Sequence, residues 1–425
     1  MNIDITTVFF AAKRYWQNEE VLTAAYENLK IQLGAENAFL VTDGEIPADL
    51  QSDISENIVI VPMSGAIQKS VVETANRYKR AVIYAAYIKG NSGAKTENLM
   101  LENNAAPTVM DCWSVLRQNH PYAQLALDRE ALESYIRVFK AYDTIKGSKL
   151  LLIGETEPWV VSASHNVKDY EKLGITIEKV SQQEVLDLYE KAQDKDAEIY
   201  YHKFKDNACK IQEPDEDDLE NAARMTSVFM GILEKYNADG MAIACFDLLK
   251  SGTTSCLAVS YINDCTQKIA ACEGDLDSAC TMLFMKKLCS GNLWMANPGL
   301  YPGGLVNFSH CTAPVSVDCG CDCSYMLRSH HESGIGVSLQ VELPAKRRVT
   351  ACRISGSCNK ITIQNGTTET GEYLPSCRTQ LYVRFDDFSQ YIDTALGCHQ
   401  VFCFEDIKKE AQMLSDLMGI ECITK

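Results

Sequence analysis

Short apolar runs alternate with helical patterns through the first part of the chain. Residues 4–12 form a continuous apolar run rich in β-branched and aromatic side chains, and residues 19–34 carry apolar side chains at helical spacing before a final glycine. Further apolar runs follow at 38–43, 57–66 and 81–88. Because a strand that is covered by helices on both faces is apolar throughout, these runs predict a parallel sheet in an α/β domain.

A second α/β cycle begins after residue 147. An apolar run at 148–163 precedes a helical pattern at 175–193, and an acidic stretch at 213–218 opens a strongly amphipathic helix. We expect these acids to form a solvated helix start that the helix dipole stabilises. The cycle contains no G-x-G-x-x-G motif, so the sequence does not support a dinucleotide site there.

The pattern changes near residue 337, where short alternating runs replace the continuous ones. Runs at 336–344, 347–355 and 379–385 are separated by glycine, proline, asparagine and aspartate, which indicates antiparallel strands in a small barrel or sandwich. A final helix is predicted over residues 406–419.

The predicted fold class is α/β, with two Rossmann-like α/β domains followed by a β-rich, barrel-like C-terminal domain. At 425 residues the chain is long enough for two or three domains. The predicted domains are an N-terminal α/β domain at 1–147, a second α/β domain with most of the candidate residues at 148–325, and the barrel-like domain with its final helix at 326–425.

The charge balance argues against a nucleic-acid partner. Lys and Arg number 40 against 57 Asp and Glu, a formal net charge of −17, so the chain lacks an overall positive field that attracts a polyanion. No apolar run reaches the roughly 18 residues that a membrane span needs. The opening residues lack a basic segment followed by a long apolar one, so we expect a cytoplasmic protein.

Cysteine is unusually frequent, with 18 residues of which all but Cys112 lie from Cys209 onward. In a reducing cytoplasm these residues are expected to act as small apolar side chains. Cys319, Cys321 and Cys323 have a C-x-C-x-C spacing, whereas zinc and iron–sulfur motifs usually place two residues between paired cysteines. A tight loop with incidental thiols is therefore favoured over a redox or metal role.

Few histidines are available as ligands or proton carriers. The chain has seven, and His310 and His399 stand where apolar strand-like runs end or begin. Glu273 lies at the start of a long apolar helix, where the helix dipole favours an acid. Spacing alone favours a structural interpretation, with Asp275 as the helix N-cap and Glu273 as its solvated neighbour, and leaves a functional role of Glu273 as the alternative.

Five segments resemble one family in order and spacing: CEGDLDSACTM, LWMANPGLY, VNFSHCTAP, RSHHESGIGVSLQVELP and LGCHQVFCFEDIKKEAQMLSDLMGIECI. The family is the L-fucose and L-arabinose isomerase group of metal-dependent aldose–ketose isomerases. The N-terminal half is similar to the family's two α/β domains, including the stretch GNSGAKTENLM at 90–100. The resemblance therefore covers most of the chain.

The resemblance implies a divalent metal centre, with manganese as the expected ion. Glu273, His310 and His399 match the family's metal-binding glutamate and histidines, and hard oxygens with imidazole suit manganese. The resemblance also implies that Glu273 is the catalytic base, which moves a proton between C1 and C2 of a sugar through an enediol.

One position departs from the family pattern. Where the family has an aromatic, small, acidic string, this chain reads Met295, Ala296 and Asn297. Asn297 offers a neutral oxygen to a cation and is therefore the fourth expected metal ligand. Its amide is not a general acid or base at neutral pH, so the identity of the second proton carrier stays open.

The resemblance further implies the partners. The expected substrate is a sugar, with Asp247, His120 and His331 as candidate substrate contacts. The expected assembly is a homo-oligomer, a trimer or a hexamer, with sites at subunit contacts, so His120 is a candidate for reaching a neighbour's site. Neither nucleic acid nor membrane is expected as a partner.

Three functions are open on these grounds. The first is an aldose–ketose isomerase that acts on a sugar or a sugar derivative. The replacement of an acid by Asn297 favours the second, a sugar-binding or regulatory member of the fold without isomerase chemistry. The third is a related metal-dependent epimerase or lyase with a different proton carrier, because one fold hosts many reactions.

Overall fold

The computed structural model describes residues 3–86, 103–163, 166–300, 303–318 and 321–424. The chain divides into two compact units, Met1–Lys140 and Ala141–Lys425. The stretch at 90–100 and Cys319 lie outside the described residues, as does the side chain of Cys321, while Cys323 is half-buried.

A parallel sheet forms the centre of the first unit. Its strands are β1 (Thr6–Ala11), β2 (Ala38–Thr42), β3 (Asn57–Pro62), β4 (Arg80–Tyr84) and β5 (Ala123–Ala126). The helices in this part of the chain are α1 (Glu19–Leu33), α2 (Ala48–Gln51), α3 (Gln68–Ala75), α4 (Ala105–Asn119) and α5 (Arg129–Ile145). The strand order is β2-β1-β3-β4-β5, with neighbouring strands parallel. All six residues of β1 are buried, as its continuous apolar run predicts.

The second unit opens with another parallel sheet. The strands in this part of the chain are β6 (Lys149–Ile153), β7 (Thr176–Val180), β8 (Lys210–Ile211), β9 (Gly240–Ile243) and β10 (Ile269–Ala271). The helices are α6 (Gln182–Lys191), α7 (Asp194–Lys205), α8 (Glu216–Lys235), α9 (Cys245–Leu248), α10 (Cys256–Cys265) and α11 (Leu276–Lys286). The parallel order is β10-β9-β6-β7, and β8 pairs outside this sheet. The acidic start of α8 is a capping box between Asp215 and Asp218.

A closed barrel lies at the end of the second unit. The remaining strands are β11 (Trp294–Leu300), β12 (Leu305–His310), β13 (Ser316–Asp318), β14 (Cys321–Asp322), β15 (Tyr325–Arg328), β16 (Ser338–Val341), β17 (Arg348–Ser355), β18 (Lys360–Glu369), β19 (Thr379–Phe385), β20 (Gln400–Cys403) and β21 (Glu421–Cys422). The last helices are α12 (Phe388–Asp393) and α13 (Lys408–Met418). Six antiparallel strands form the ring β17-β20-β11-β12-β19-β18, which closes because β18 also pairs with β17.

The predicted α/β class is confirmed, with parallel sheets and a barrel in the C-terminal region. The barrel takes in β11 and β12, which lie before residue 326, so it begins earlier in the chain than the alternating pattern indicates. The number of Rossmann-like domains stays a prediction. In the described ranges, no helix combines the length and the apolar character that crossing a bilayer needs.

Candidate metal centre

Glu273 lies in the turn between β10 and α11. Glu273 and Gly274 both have a left-handed backbone, with φ of 59° and 60°, a conformation that a residue other than glycine adopts only when its surroundings hold it there. A Cβ at Gly274 would lie 2.7 Å from the Glu155 carbonyl oxygen, so no larger residue fits. The Gly274 N–H donates to the Ile243 carbonyl at 2.8 Å, which ties the turn to the end of β9.

Two histidines of the barrel face the Glu273 carboxylate. His310 is the last residue of β12, and His399 immediately precedes β20. Their Nε2 atoms lie 3.8 Å and 3.4 Å from Glu273 Oε1, and one ligand atom from each of the three residues lies within 4.8 Å of the others. All three side chains are largely buried. The fold therefore brings a carboxylate and two imidazoles to one point, close enough to share a single ion.

One nitrogen of the His399 ring is hydrogen-bonded, and the other makes no hydrogen bond to the residues that the structure describes. Its Nδ1 lies 2.7 Å from Asp275 Oδ2, so we assign the ring proton to Nδ1 from this carboxylate partner. Its Nε2 is buried and has no hydrogen-bond partner among the residues that the structure describes. A buried ring nitrogen that faces a carboxylate without a hydrogen bond is unusual in folded proteins. A metal ion between the two groups is a partner that a ring nitrogen in this tautomer binds.

The same arrangement holds the ring of His310. Its Nδ1 lies 2.9 Å from the Thr312 hydroxyl oxygen, and its Nε2 faces Glu273. Orientation of one ring nitrogen by a polar neighbour, with the other directed at the ion, is the usual geometry of metal-binding histidines. Both imidazoles are thus arranged as ligands of one centre.

Asp275 is itself fixed by a buried arginine. Arg353 Nη1 donates to Asp275 Oδ2 at 2.6 Å, and both side chains are fully buried. The other oxygen accepts the Ser278 N–H at 2.9 Å as the N-cap of α11, which confirms the predicted cap. Burial raises the pKa of Asp275, but Arg353 and His399 outweigh it and hold the pKa well below its usual range. The carboxylate that orients His399 therefore stays ionised.

The electrostatics of the site favour a positive charge between the ligands. Burial raises the pKa of Glu273, but the adjacent imidazoles of His310 and His399 outweigh it and bring the pKa well below its usual value. Burial lowers the pKa of His399, whereas hydrogen bonding, first of all with Asp275, raises it well above its ordinary value. The groups that favour a proton at this point favour a divalent cation in its place.

Asn297 lies on β11, between the strands of the two histidines. It pairs with Ser309 of β12. The preceding residue, Ala296, pairs with Gln400 of β20. The register thus puts Asn297 opposite His399, one position beyond the last residues that pair between β11 and β20.

Asp247 and His331 lie next to an aromatic contact and are not among the three residues of the candidate metal centre. Asp247 is exposed on α9, and its carboxylate accepts from Lys250 Nζ at 3.1 Å. The residue before it, Phe246, meets the ring of His330 edge-on with centroids 5.8 Å apart. His331, half-buried, follows His330 in the chain. Both predicted substrate contacts thus adjoin the Phe246–His330 pair.

His120 belongs to the first unit and is buried there. Its Nε2 lies 3.0 Å from the Tyr78 carbonyl oxygen, and its Nδ1 accepts the Tyr122 N–H at 3.3 Å. Both ring nitrogens are therefore engaged within its own unit, which leaves neither for a sugar in this conformation.

Three residues near the centre have no counterpart among the predicted site residues. Trp159 donates its indole N–H to Glu273 Oε2 at 2.8 Å. Glu157 is a buried carboxyl that accepts the Phe246 N–H at 3.2 Å, and burial raises its pKa. Arg353 forms the buried ion pair with Asp275. Trp159 and Glu157 lie within the predicted run at 148–163 and follow the end of β6. The carboxyl ends of parallel strands often carry sites, whereas nothing in the sequence marks Arg353.

Comparison with protein families and with curated proteins finds no relative of this chain. Among solved structures, the Ca. Korarchaeum cryptofilum dinucleotide forming acetyl-coenzyme A synthetase 1, in complex with phosphate and ADP, is 14% identical and aligns with a TM-score of 0.22. That alignment covers 67% of this chain and 65% of the synthetase chain. A likeness of this size carries no argument about fold or function.

Proposed function

We propose that this protein is a metal-dependent aldose–ketose isomerase of the L-fucose and L-arabinose isomerase type, which acts on a sugar or sugar derivative through an enediol. The observation that carries the proposal is His399 Nε2, a buried ring nitrogen beside Glu273 and His310 that has no hydrogen-bond partner in the described part of the chain. A carboxylate and two imidazoles suit a divalent ion, and we propose manganese.

Glu273, His310 and His399 would hold the ion, with Asn297 as a neutral ligand or substrate contact. When bound, the ion polarises the carbonyl group of the sugar. Glu273 would accept the proton from C2 of an aldose and return it to C1, while the proton of the C2 hydroxyl passes to the C1 oxygen. Aldose and ketose would thus interconvert without external oxidant or reductant.

The proposal extends to the whole protein. Each chain would contain two Rossmann-like domains and the barrel, and the chains would form a cytoplasmic trimer or hexamer. Asp247 and His331 would contact the sugar from their positions beside the Phe246–His330 pair. His120 would take part only after its ring leaves the contacts it makes in the first unit.

Proton exchange tests the reaction directly. The purified protein is incubated with manganese and a panel of aldoses, including L-arabinose and L-fucose, in heavy water. We expect deuterium at C2 of the recovered aldose and the appearance of the matching ketose, because the enediol exchanges its proton with solvent.

A matched variant shows whether exchange and ketose formation depend on Glu273. Glu273→Gln keeps the shape of the side chain and removes its charge, so it is expected to bind manganese more weakly and to show neither exchange nor ketose. If the wild type binds manganese and a broad aldose panel still shows neither exchange nor ketose, the isomerase proposal is wrong.

Asn297 favours a second candidate, a sugar-binding or regulatory protein without turnover. An amide stands level with His399 where the family has an acid, and an amide does not carry a proton at neutral pH. This candidate predicts that a sugar raises the melting temperature of the manganese-loaded protein without being converted. Robust turnover by the wild type would exclude it.

A further inference from the structure

Trp159 is a large aromatic side chain that remains 53% exposed close to the three proposed ligands. It lies in the loop that follows β6. Tryptophan is favoured where one part of the ring is covered and the N–H finds a partner while the remaining surface meets a ligand. Trp159 has a partly covered ring, a partner for its N–H and an exposed surface on which a ligand can pack.

The two oxygens of the Glu273 carboxylate have different partners, and the Trp159 indole N–H binds only one of them. It donates to Oε2 at 2.8 Å, while Oε1 is the oxygen that faces His310 and His399. One oxygen is thus held by a neutral donor, and the other is turned toward the proposed ion. Because an indole N–H only donates, Trp159 does not compete with the histidines as a ligand.

The loop around Trp159 is fastened to the turn that carries Glu273. The Thr156 hydroxyl donates to the Gly274 carbonyl at 2.9 Å, and the Glu157 N–H donates to the Glu273 carbonyl at 3.0 Å. These two bonds connect consecutive residues of the loop to consecutive residues of the turn. The distance between the indole and the Glu273 carboxylate is therefore set by backbone contacts as well as by the side chains.

Phe246 braces the indole from one side. The two rings meet edge to face, with centroids 4.9 Å apart and an interplanar angle of 86°. A ring that is already held in place loses little conformational freedom when a ligand packs on it. The uncovered half of the indole is thus a rigid apolar surface beside the proposed metal centre.

We infer that Trp159 is a positioning and specificity residue of this site. Its N–H holds Glu273 in the orientation that presents one oxygen to the ion, and its exposed ring receives the C–H face of the sugar. The electron-rich face of an aromatic ring attracts the slightly positive hydrogens of C–H bonds. The identity of the ligand as a sugar rests on the proposed function.

Manganese titration of full-length proteins tests the positioning role. Trp159→Phe keeps a ring and loses the N–H, and Trp159→Leu loses both. Calorimetry is expected to show a manganese affinity about tenfold lower in both variants, the size of effect that outer partners of metal ligands commonly have. Because Trp159 is half exposed, both variants are expected to fold, which thermal melting checks.

Trp113→Phe is the matched control, since it removes a half-buried tryptophan from α4 in the first unit. It is expected to bind manganese as the wild type does. A Trp159→Phe variant with the same manganese affinity as the wild type would contradict the positioning role.

Reduced sugars test the second role, because they bind without reacting. L-arabinitol and L-fucitol are titrated into the manganese-loaded proteins. We expect the wild type to bind at least one of these reduced sugars with a change in tryptophan fluorescence. Trp159→Phe is expected to bind the same sugar nearly as well, because it keeps a ring. Trp159→Leu is expected to bind it about fivefold more weakly, because the ring is lost. Equal binding by the two variants, or no binding by the wild type, would contradict the role of the ring.

Failure of the isomerase proposal would give other results than failure of the inference about Trp159. In that case manganese and the reduced sugars bind with the variant effects described, while no aldose in the panel shows exchange or conversion. The inference about Trp159 then stands for a sugar-binding protein.

Discussion

Asp275 joins helix α11 to the candidate metal centre through its two oxygens. One oxygen caps the helix by accepting the Ser278 N–H, and the other lies 2.7 Å from His399 Nδ1 and 2.6 Å from Arg353 Nη1. The same residue therefore caps the start of a helix, balances a buried arginine and directs His399 Nε2 at Glu273. Single residues with several buried partners are sensitive positions, because removing one charge leaves another without compensation.

Asp275→Asn is expected to weaken manganese binding by about tenfold or more, since it replaces the carboxylate that orients His399. Calorimetric titration with manganese measures the change. Ser278→Ala is the control, because it removes one hydrogen bond to Asp275 Oδ2, at 2.8 Å, and leaves the carboxylate beside His399 in place. The control is expected to lower stability and keep the metal affinity. Equal affinities in the wild type and Asp275→Asn would show that the carboxylate does not orient the ligand.

Asn297→Asp is expected to raise manganese affinity by about tenfold, because it adds a negative charge level with His399, one of the proposed ligands of the cation. The control is Asn359→Asp, which makes the same charge change at an exposed position in the β17–β18 turn. The control is expected to leave the affinity unchanged. A loss of affinity in Asn297→Asp would show that this position is not a ligand.

At the scale of elements, the turn between β10 and α11 determines where Glu273 stands. Its left-handed backbone at Glu273 and Gly274 reverses the chain within two residues, so α11 starts directly at the edge of the parallel sheet. The helix start and the ligand are thereby fixed by the same backbone geometry. A substitution in the turn is expected to disturb both.

Gly274→Ala is expected to destabilise the protein by about 2 kcal/mol or more, since left-handed backbone strain adds to a contact with the Glu155 carbonyl. Urea unfolding followed by circular dichroism measures the loss. Gly419→Ala is the control, because Gly419 also has a left-handed φ of 69° but a Cβ there would meet nothing within 4 Å. It is expected to cost about 1 kcal/mol. Equal losses at the two glycines would refute the close contact.

Strand type was predictable at this scale, but strand partners were not. The runs at 347–355 and 379–385 became β17 and β19 of the barrel, because short runs rich in β-branched and aromatic residues between turn residues favour strands. The barrel also takes β11 and β12, which the sequence analysis placed with the second α/β domain. Pairing joins residues far apart in the chain, so local patterns do not reveal which sheet a strand enters.

At the scale of the whole molecule, the three proposed ligands belong to one of the two compact units. Glu273, His310 and His399 all lie in Ala141–Lys425. A ligand that binds only the folded form stabilises the part of the protein that contains its site. The two units therefore provide an internal comparison.

Manganese at about one hundred times its dissociation constant is expected to stabilise the second unit by about 2.7 kcal/mol. Calorimetric melting should show one transition moved upward by manganese and returned by a chelator. Glu273→Gln is expected to lose most of this shift. If melting shows two transitions that manganese raises equally, or none that it raises, the ion does not bind at this centre.

The sequence by itself determined the α/β class, the barrel-like character of the C-terminal region and Asp275 as the cap of α11, because periodicity and capping are properties of neighbouring residues. Only the tertiary structure decided that Trp159 holds the Glu273 carboxylate and that Arg353 holds Asp275. Those partners are 114 and 78 positions apart in the chain. Contacts over such separations depend on how sheets and barrel pack, and no local pattern encodes them.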